Sequence, residues 1–514
     1  MKNFIIGIGG TGAKCLEHLL YCCSSGLGPE QLWAGMIDQD EANGNISRTK
    51  ILLSKYINIR NSLKEEGKSD LSSDSDLFKT LVTSNIDSVW QPIKKGDPNL
   101  EKIINYEMLK TEVKGLVDCL YGPEEKKLNL SKGFRARPNI GAAAILATTS
   151  KIDDPFWSQI YKAIDLARGG EEVKIFIFSS IFGGTGASGF PNIARKIRAI
   201  QKEKQVTSNL YIGGALMLPY FIYDVPDEKM EGELYAKPEE FLDQTKGALH
   251  YYSKLFEYDK IFDQVYVTGW DPLSKLSSFH AGGNLQNNPP LFSELYAALG
   301  ALRFFSKDNT IAENQEIFQI GKNDTNEVQW SDIPNVSNNL NSKENLAKLI
   351  RFAFSYYWMY GPALTGSWSK VKKYSNENWF KRLIYKYTYD DDKKQCEIGH
   401  ENNQEIISSM TEFCRDILEW ITDMHYSTVH NTDQKMNLIL CDFFSEYKAK
   451  KSQHRVSIEE KLNAAEKKQF DGLITDGSNF KLLNVMSNIC YNKIGKDQKG
   501  LGVFMDILFR SCKK

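Results

Sequence analysis

The sequence lacks the features that mark several large classes of protein. Its nine cysteines include no Cys-x-x-Cys pair, and their odd number favours reduced thiols of the cytosol over a disulfide framework. No apolar run approaches the roughly 20 residues that cross a bilayer. The 64 lysines and arginines balance 65 acidic residues, so no overall basic charge recommends nucleic acid. These absences predict a cytoplasmic protein with neither a membrane nor nucleic acid as its partner.

Several enzyme motifs are missing as well. The sequence has no Gly-x-Ser-x-Gly elbow and no G-x-x-x-x-G-K-[ST] loop. The seven histidines are scattered, and no cysteine or carboxylate cluster completes a metal site around them. The first apolar stretch is broken by glycine and is too short for a signal peptide. The sequence therefore favours neither a serine hydrolase nor a Walker-type NTPase, and it predicts no metal ligands.

The order of predicted elements indicates an α/β protein with two domains, as 514 residues would suggest. Residues 1–305 alternate buried strands, tight turns and helices, which is typical of a nucleotide-binding fold with a parallel sheet. Amphipathic stretches at 46–131 predict a helical elaboration of this domain, and 290–305 predict a further helix. After residue 305 the pattern is mostly helical, so residues 306–514 are predicted to form a divergent C-terminal domain.

A glycine-rich turn lies at the start of the chain, within "IIGIGGTGAKC". Gly9, Gly10, Thr11 and Gly12 stand between a predicted strand and a predicted helix, where G-x-G-x-x-G binds phosphate in dinucleotide folds. Asp38 ends the next predicted strand, as the dinucleotide pattern requires. The alternative is a tight turn that binds nothing.

A second turn of the same kind follows the predicted strand "VKIFIF". Its residues are Gly183, Gly184, Thr185 and Gly186. Glycine lets backbone N–H groups approach a ligand, and the start of a helix attracts an anion. A dinucleotide fold needs only one such loop, whereas two loops on one sheet suit a triphosphate held from two sides.

The second turn, "FGGTGASGFP", resembles the signature loop of the tubulin/FtsZ superfamily. Further loops follow in the family's order: "DQDEANG", "RARPNIG", "MLPYF" and "NNPPLFSEL". The resemblance covers residues 1–305 and implies a tubulin/FtsZ-like nucleotide-binding domain in which 290–305 form the central helix. It implies GTP or GDP as the bound nucleotide, with Mg²⁺.

The resemblance also implies a set of nucleotide-binding residues. Phe292 would stack on the base, and Asn287 or Asn288 would read its edge. Arg135 and Arg137 are phosphate candidates by charge alone. The other residues implied are Gly9, Gly10, Thr11, Gly12, Asp38, Asn139, Gly141, Gly183, Gly184, Thr185 and Gly186.

In this family, filaments form head to tail, and the next subunit supplies an acidic residue that positions the attacking water. Asp308 and Glu313 are the nearest acids after the central helix, and Asp308 is the predicted catalytic residue. Neither lies in a clear motif. The leading hypothesis is therefore a GTP-binding protein that self-associates and hydrolyses GTP slowly.

Two alternatives remain open at this stage. The chain could be a non-polymerising, nucleotide-dependent regulator or adaptor of a bacterial multi-component system, such as a defence system, that binds a partner protein through its C-terminal region. It could also be a Rossmann dehydrogenase, which would use the first glycine loop and leave the second unexplained.

Overall fold

The structure of the protein is a computed structural model. It describes residues 2–40, 42–63, 75–84, 89–93, 96, 99–131, 133–134, 137–148, 153–223, 238–276, 283, 286–308, 310–322, 327–366, 371–372, 375–376, 380, 389–390, 395–396, 401–429, 436–440, 443, 473–478 and 501–513.

A parallel sheet of seven strands lies at the centre of the fold, in the order β3-β2-β1-β4-β5-β7-β9. The predicted α/β class with a parallel sheet is confirmed. In chain order the described strands are β1 (Lys2–Ile8), β2 (Gln31–Ile37), β3 (Leu81–Ser84), β4 (Val173–Ser180), β5 (Leu210–Met217), β6 (Phe221–Tyr223), β7 (Gln264–Thr268), β8 (Ser274–Leu276), β9 (Glu316–Ile320), β10 (Tyr389–Asp390), β11 (Gln395–Cys396) and β12 (Thr428–Val429).

Helices cover both faces of this sheet. The described helices are α1 (Gly9–Ser24), α2 (Gly44–Leu63), α3 (Leu100–Ile103), α4 (Thr111–Leu120), α5 (Pro123–Lys127), α6 (Pro138–Ala147), α7 (Pro155–Arg168), α8 (Gly184–Glu203), α9 (Pro238–Tyr258), α10 (Phe292–Phe305), α11 (Ser342–Ser355), α12 (Gly361–Leu364), α13 (Glu401–His425) and α14 (Leu501–Ser511). Short 3₁₀ turns lie at Tyr106–Met108 and Trp330–Asp332, and a π-helical turn at Tyr356–Tyr360 joins α11 to α12.

The centre of the sheet is covered on both sides. All eight residues of β4 are buried, which explains why its sequence is almost continuously apolar. In β5 the two neighbouring glycines show which helix covers which face. A Cβ on Gly213 would meet Phe304 of α10, whereas a Cβ on Gly214 would meet Phe190 of α8. Helices α8 and α10 therefore lie on opposite faces.

One crossover differs in hand from the others. Helices α1 and α2 share a face with α10, and α8 and α9 lie on the other face. The β1–α1–β2 and β2–α2–β3 connections step one way along the sheet, and the connections through α8 and α9 step the other way, so all four have the same hand. The β7–α10–β9 connection runs along the sheet in the same direction as the connection through α8, but its helix lies on the face that carries α1. It is therefore of the rare left-handed kind.

The part of the chain after residue 305 packs against the part before it. Strand β9 pairs with β7 and extends the sheet. Trp420 of α13 packs against the rings of His18 and Tyr21 in α1. Lys55 of α2 forms an ion pair of 2.6 Å with Asp416 of α13. Most other described elements after residue 320 are helices, as the sequence indicates.

Strand β3 is an element that the sequence pattern did not reveal. Its four residues lie within 46–131, the stretch predicted to be helical, and they pair with β2 at the edge of the sheet. The remaining described elements of this stretch are helical. Within the described parts of the chain, no helix combines the length and apolar character needed to cross a membrane.

A buried ion pair fastens α10 to α1. Lys14 and Glu294 lie 2.5 Å apart, and both side chains are almost completely buried. Glu294 also accepts hydrogen bonds from the Tyr220 hydroxyl at 2.7 Å and from the Leu291 backbone N–H at 3.0 Å. A buried charge that loses its partner is strongly destabilising, so this carboxylate links α1, the segment after β5 and the start of α10.

We expect Glu294→Gln to lower the free energy of unfolding by about 3 kcal/mol, because Lys14 would keep a buried charge without a counter-charge. Urea unfolding followed by circular dichroism measures the loss. The control is the double variant Lys14→Met with Glu294→Leu, which removes both charges and should lose less stability. Equal stability of Glu294→Gln and the parent protein would contradict this role.

Candidate functional site

The first glycine loop forms the junction between β1 and α1. Gly9 has φ +71°, a conformation that side chains disfavour, and this turn directs the chain from strand into helix. A Cβ on Gly12 would lie 2.7 Å from the carbonyl oxygen of Phe178, so glycine lets α1 pack tightly against β4. In α1 only Gly10 and Thr11 are not buried. The surface that this helix leaves accessible is thus its first turn.

The second glycine loop has the same layout between β4 and α8. Gly183 and Gly184 are half-buried, whereas the residues on either side of them are buried. A Cβ on Gly186 would lie 2.8 Å from the carbonyl oxygen of Ser180. The loop therefore exposes backbone at one point and packs closely against its own strand at another.

The two loops meet, although more than 170 residues separate them in the chain. A Cβ on Gly9 would lie 3.5 Å from the backbone nitrogen of Gly186 and 3.7 Å from the Cβ of Thr185. Strands β1 and β4 are neighbours at the point where the strand order reverses. The crevice outside the carboxyl ends of such strands is where α/β sheets bind ligands. We call it the switch crevice.

The helix starts at this crevice have no side-chain caps. Ile8 precedes α1 and Gly183 precedes α8, and neither accepts a hydrogen bond through its side chain from the following turn. The first N–H groups of a helix have no partner within the helix, and they carry partial positive charge. Two such ends at one crevice can bind an anion with several oxygens, such as a polyphosphate.

A buried carboxylate lies beside the second loop. Asp38 directly follows β2 and is 3% exposed. Its Oδ1 accepts hydrogen bonds from the Thr185 hydroxyl at 3.2 Å and from the Asp40 N–H at 3.1 Å. Burial raises the pKa of Asp38 from 3.8 to about 7, and the nearby charge of Asp40 adds to this, while the hydrogen bonds oppose it. Of the pairs that the described residues form, none gives Asp38 a cationic partner.

Backbone and amide groups join the loop before α10 to the segment after β2. The Gly283 N–H donates to Asp40 Oδ2 at 2.7 Å, and the Asn288 N–H donates to Asn45 Oδ1 at 2.9 Å. Asn43 Nδ2 donates to Gln286 Oε1 at 2.8 Å. These contacts bring the predicted base-reading loop to the edge of the switch crevice.

Arg48 supports the same junction from α2. Its guanidinium donates to the Asn288 carbonyl oxygen at 2.8 Å and to the Asn287 side chain. It also forms an ion pair of 2.8 Å with Glu17 of α1. The side chain therefore connects the loop before α10 to the helix that carries the first glycine loop.

Two asparagines beside the first loop were missed in the sequence. A Cβ on Gly10 would lie 3.0 Å from Asn45 Nδ2 and 3.2 Å from Asn43 Nδ2. Both amides can donate or accept hydrogen bonds next to the half-buried backbone of Gly10. Their alternation after β2 was the available signal in the sequence. In the structure the Asn45 N–H donates to Asn43 Oδ1 at 2.9 Å.

The segment before α6 also approaches the crevice. A Cβ on Gly133 would lie 3.6 Å from the Cβ of Asp40, and one on Gly141 would lie 2.4 Å from Ser188 Oγ in α8. Asn139 is exposed in the first turn of α6, and Arg137 is paired with Glu125 at 2.7 Å. Arg135 lies outside the described residues.

Phe292 lies apart from the open surface of the crevice. It is the first residue of α10, it is 1% exposed, and its ring contacts Trp270 and Tyr296. Asn288, four residues earlier, is half-buried. Stacking of Phe292 on a base stays a prediction, and it requires the ring to become accessible when a ligand binds.

Asp308 lies at the opposite end of the strands from the switch crevice, near their amino ends. It follows the far end of α10, and 14 helical residues separate this end from the start of the helix by about 20 Å. Lys307 beside it lies 3.4 Å from Glu30, which precedes β2. Asp308 Oδ2 accepts a hydrogen bond from Asn339 at 2.9 Å. Asp308 therefore does not belong to the switch crevice of its own chain.

A separate groove of about 960 Å³ lies toward the β9 edge of the sheet, between α9 and β9. Leu218, Trp270, Ile317 and Lys322 are among the residues that line it, and none of the glycine-loop residues does. Among the described residues, no group of three or more histidine, cysteine or acidic side chains could hold a metal ion.

Comparison of the chain with family models, curated proteins and solved structures found no match. The geometry of the switch crevice is therefore the basis for a functional proposal.

The pKa of Asp38 predicts a dependence of stability on pH. Between about pH 4 and pH 7 the folded protein holds a proton on Asp38 that the unfolded chain has released. Raising the pH through this window therefore lowers the free energy of unfolding, by as much as about 4 kcal/mol. Asp38→Asn should remove this contribution.

Urea unfolding of both proteins from pH 4 to pH 8 is the measurement. The difference between parent and variant isolates Asp38, since other groups titrate in both. A difference that stays constant over this range would contradict the raised pKa.

Proposed function

We propose that the protein binds GTP with Mg²⁺ in the switch crevice as a member of the tubulin/FtsZ superfamily. The observation that carries the proposal is the close approach of Gly9 and Gly186 from two distant glycine loops. Two uncapped helix starts provide more N–H donors than a single phosphate requires. A triphosphate, which spreads charge over several oxygens, fits this arrangement.

Asp38 fits the implied Mg²⁺. It is a buried carboxylate that hard cations prefer as a ligand, and it lies within hydrogen-bond distance of Thr185 in the second loop. A cation shared with the phosphates would supply the positive charge that would stabilise the ionised form of Asp38. Mg²⁺ would neutralise charge on the phosphates, while Thr185 would keep the carboxylate oriented.

The base would lie toward the loop before α10. Asn43 and Asn45 border both this loop and Gly10, so they are the amides that could contact a nucleoside next to the phosphates. Adenine could stack in the same place, and competition between GTP and ATP for the protein distinguishes the two bases.

We expect Thr185→Val to weaken binding of Mg²⁺–GTP roughly tenfold or more. The substitution keeps the side-chain volume but removes the hydroxyl that donates to the Asp38 carboxylate. Isothermal titration calorimetry measures the dissociation constant. Thr268→Val is the matched control, since Thr268 is a buried threonine at the end of β7, away from the two loops. Equal effects of the two variants, or no binding of nucleotide by the parent protein, would contradict the proposal.

Asp308 would act on the nucleotide of a neighbouring copy. Its place at the far end of the strands agrees with a head-to-tail arrangement, in which the crevice of one subunit meets the opposite end of the next. Binding of phosphates alone stabilises ground state and transition state alike. A group that orients the attacking water is needed to raise the rate.

We expect GTP hydrolysis per molecule to rise with protein concentration, and Asp308→Ala to reduce it at least about tenfold without changing the affinity for GTP. Phosphate release at several protein concentrations gives the rate, and calorimetry gives the affinity. Asp243→Ala, which changes an exposed carboxylate of α9, is the control. A rate that does not depend on concentration would favour a regulator that does not polymerise.

One observation favours a second candidate. The strand order is also that of dinucleotide-binding folds, and Asp38 follows β2 where such folds place their ribose-binding acid. The contact of Asp38 with Thr185 and the second loop favour a triphosphate instead. Competition between GTP, ATP and NAD for the protein distinguishes the two, and preferential binding of NAD would support the dehydrogenase.

A further inference from the structure

Helix α4 presents its apolar side to solvent. Val113, Leu116 and Leu120 are 42%, 60% and 59% exposed, and Met108 just before the helix is 86% exposed. With the half-buried Val117, the helical residues follow the i, i+3, i+4, i+7 spacing of a stripe that normally packs on a core. No residue of α4 is buried. We call Val113, Leu116, Val117 and Leu120 the α4 stripe.

The polar side of α4 is the side attached to the protein. Asp118 accepts a hydrogen bond from the Tyr106 hydroxyl at 2.7 Å and pairs with Lys126 of α5. Lys114, one turn earlier, lies 3.6 Å from Glu107. Lys114 and Asp118 are four residues apart and therefore share one face of the helix. This face lies away from the α4 stripe. The chain thus holds this helix with its apolar side outward.

An outward stripe with helical spacing matches another helix of the same kind. We propose that α4 pairs antiparallel with α4 of a second copy of this chain, with Leu116 and Val117 at the centre. This arrangement sets Val113 of one copy against Leu120 of the other. Antiparallel helices also oppose their dipoles favourably.

The charges at the two ends of the helix support a second copy as the partner. Lys110 is exposed just before α4, and the exposed Glu124 lies in the first turn of α5 just after it. In the antiparallel pair the Lys110 end of one copy comes beside the Glu124 end of the other, at both ends of the contact. Opposite charges at such positions favour this orientation.

A membrane surface fits less well. Helices that lie on membranes carry lysine and arginine on their polar side. Around α4, Glu107, Glu112 and Asp118 offset the nearby lysines. The surface therefore lacks the excess positive charge that anionic lipids attract.

The contact is small, since one ten-residue helix from each copy covers less than the ~800 Å² per partner of a standard interface. It should give a weak, reversible dimer. It does not require nucleotide, so it is separable from the head-to-tail contact of the proposed function. Where subunits already lie in a row, many such contacts would act together.

Sedimentation velocity of the full chain without nucleotide, over a range of concentrations, tests the proposal. We expect a monomer–dimer equilibrium whose dissociation constant rises roughly tenfold or more in Leu116→Glu. The matched control is Ile51→Glu on α2, where the isoleucine is 59% exposed, and it should behave as the parent protein. Because Leu116 is exposed, the change should not unfold the chain, and thermal melting checks this.

A short bis-maleimide provides a second readout through Cys119, an exposed cysteine on α4. Cross-linked dimer should form in the parent protein and be lost in Cys119→Ser and in Leu116→Glu. A parent protein that stays monomeric at all concentrations, or a dimer that Leu116→Glu leaves intact, would overturn the proposal. If the protein binds to vesicles of phosphatidylcholine with phosphatidylserine and Leu116→Glu abolishes this binding, the α4 stripe is a membrane-binding surface. That result would also overturn the proposal.

Discussion

The uncapped first turns of α1 and α8 are the constraint on which the rest of the site depends. Each leaves backbone N–H groups without side-chain partners at the same crevice, and the first turn depends on glycine because Gly9 has φ +71°. These donors lie at an accessible surface, where water or a ligand can accept hydrogen bonds from them. The burial of nearly all of α1 holds one set in place, and the packing of α8 on β4 and α6 holds the other.

Charge is distributed around this constraint in a definite pattern. Positive helix ends lie at the crevice, and the buried Asp38 lies beside them, where burial raises its pKa to about 7. Deeper in the fold, Lys14 and Glu294 neutralise each other, and Tyr220 links them to the segment after β5. An anion at the crevice would find the N–H groups free, and a cation beside it would relieve the cost of ionising Asp38.

The sequence was sufficient for the parts that depend on local pattern. A continuous apolar run predicted β4, and a glycine cluster after each of two strands predicted two turns from strand into helix. Contacts between distant residues were not predictable. Asn43 beside Gly10, or Tyr220 bonded to Glu294 across 74 residues, leave no periodic signal. Strand β3 was missed because four residues at a sheet edge are too few to show alternation. The tubulin-like function, the ligand and the partners remain predictions.

The left-handed course of the chain through α10 has a consequence for how the fold selects its topology. Had α10 followed the usual hand, it would lie beside α8 and α9, and Lys14 would be enclosed on the other side of the sheet with no acid to balance it. The free-energy cost of burying the Lys14 ammonium group without a counter-charge disfavours a right-handed connection through α10. Glu294, near the start of α10, therefore ties this helix to the face of the sheet that carries α1.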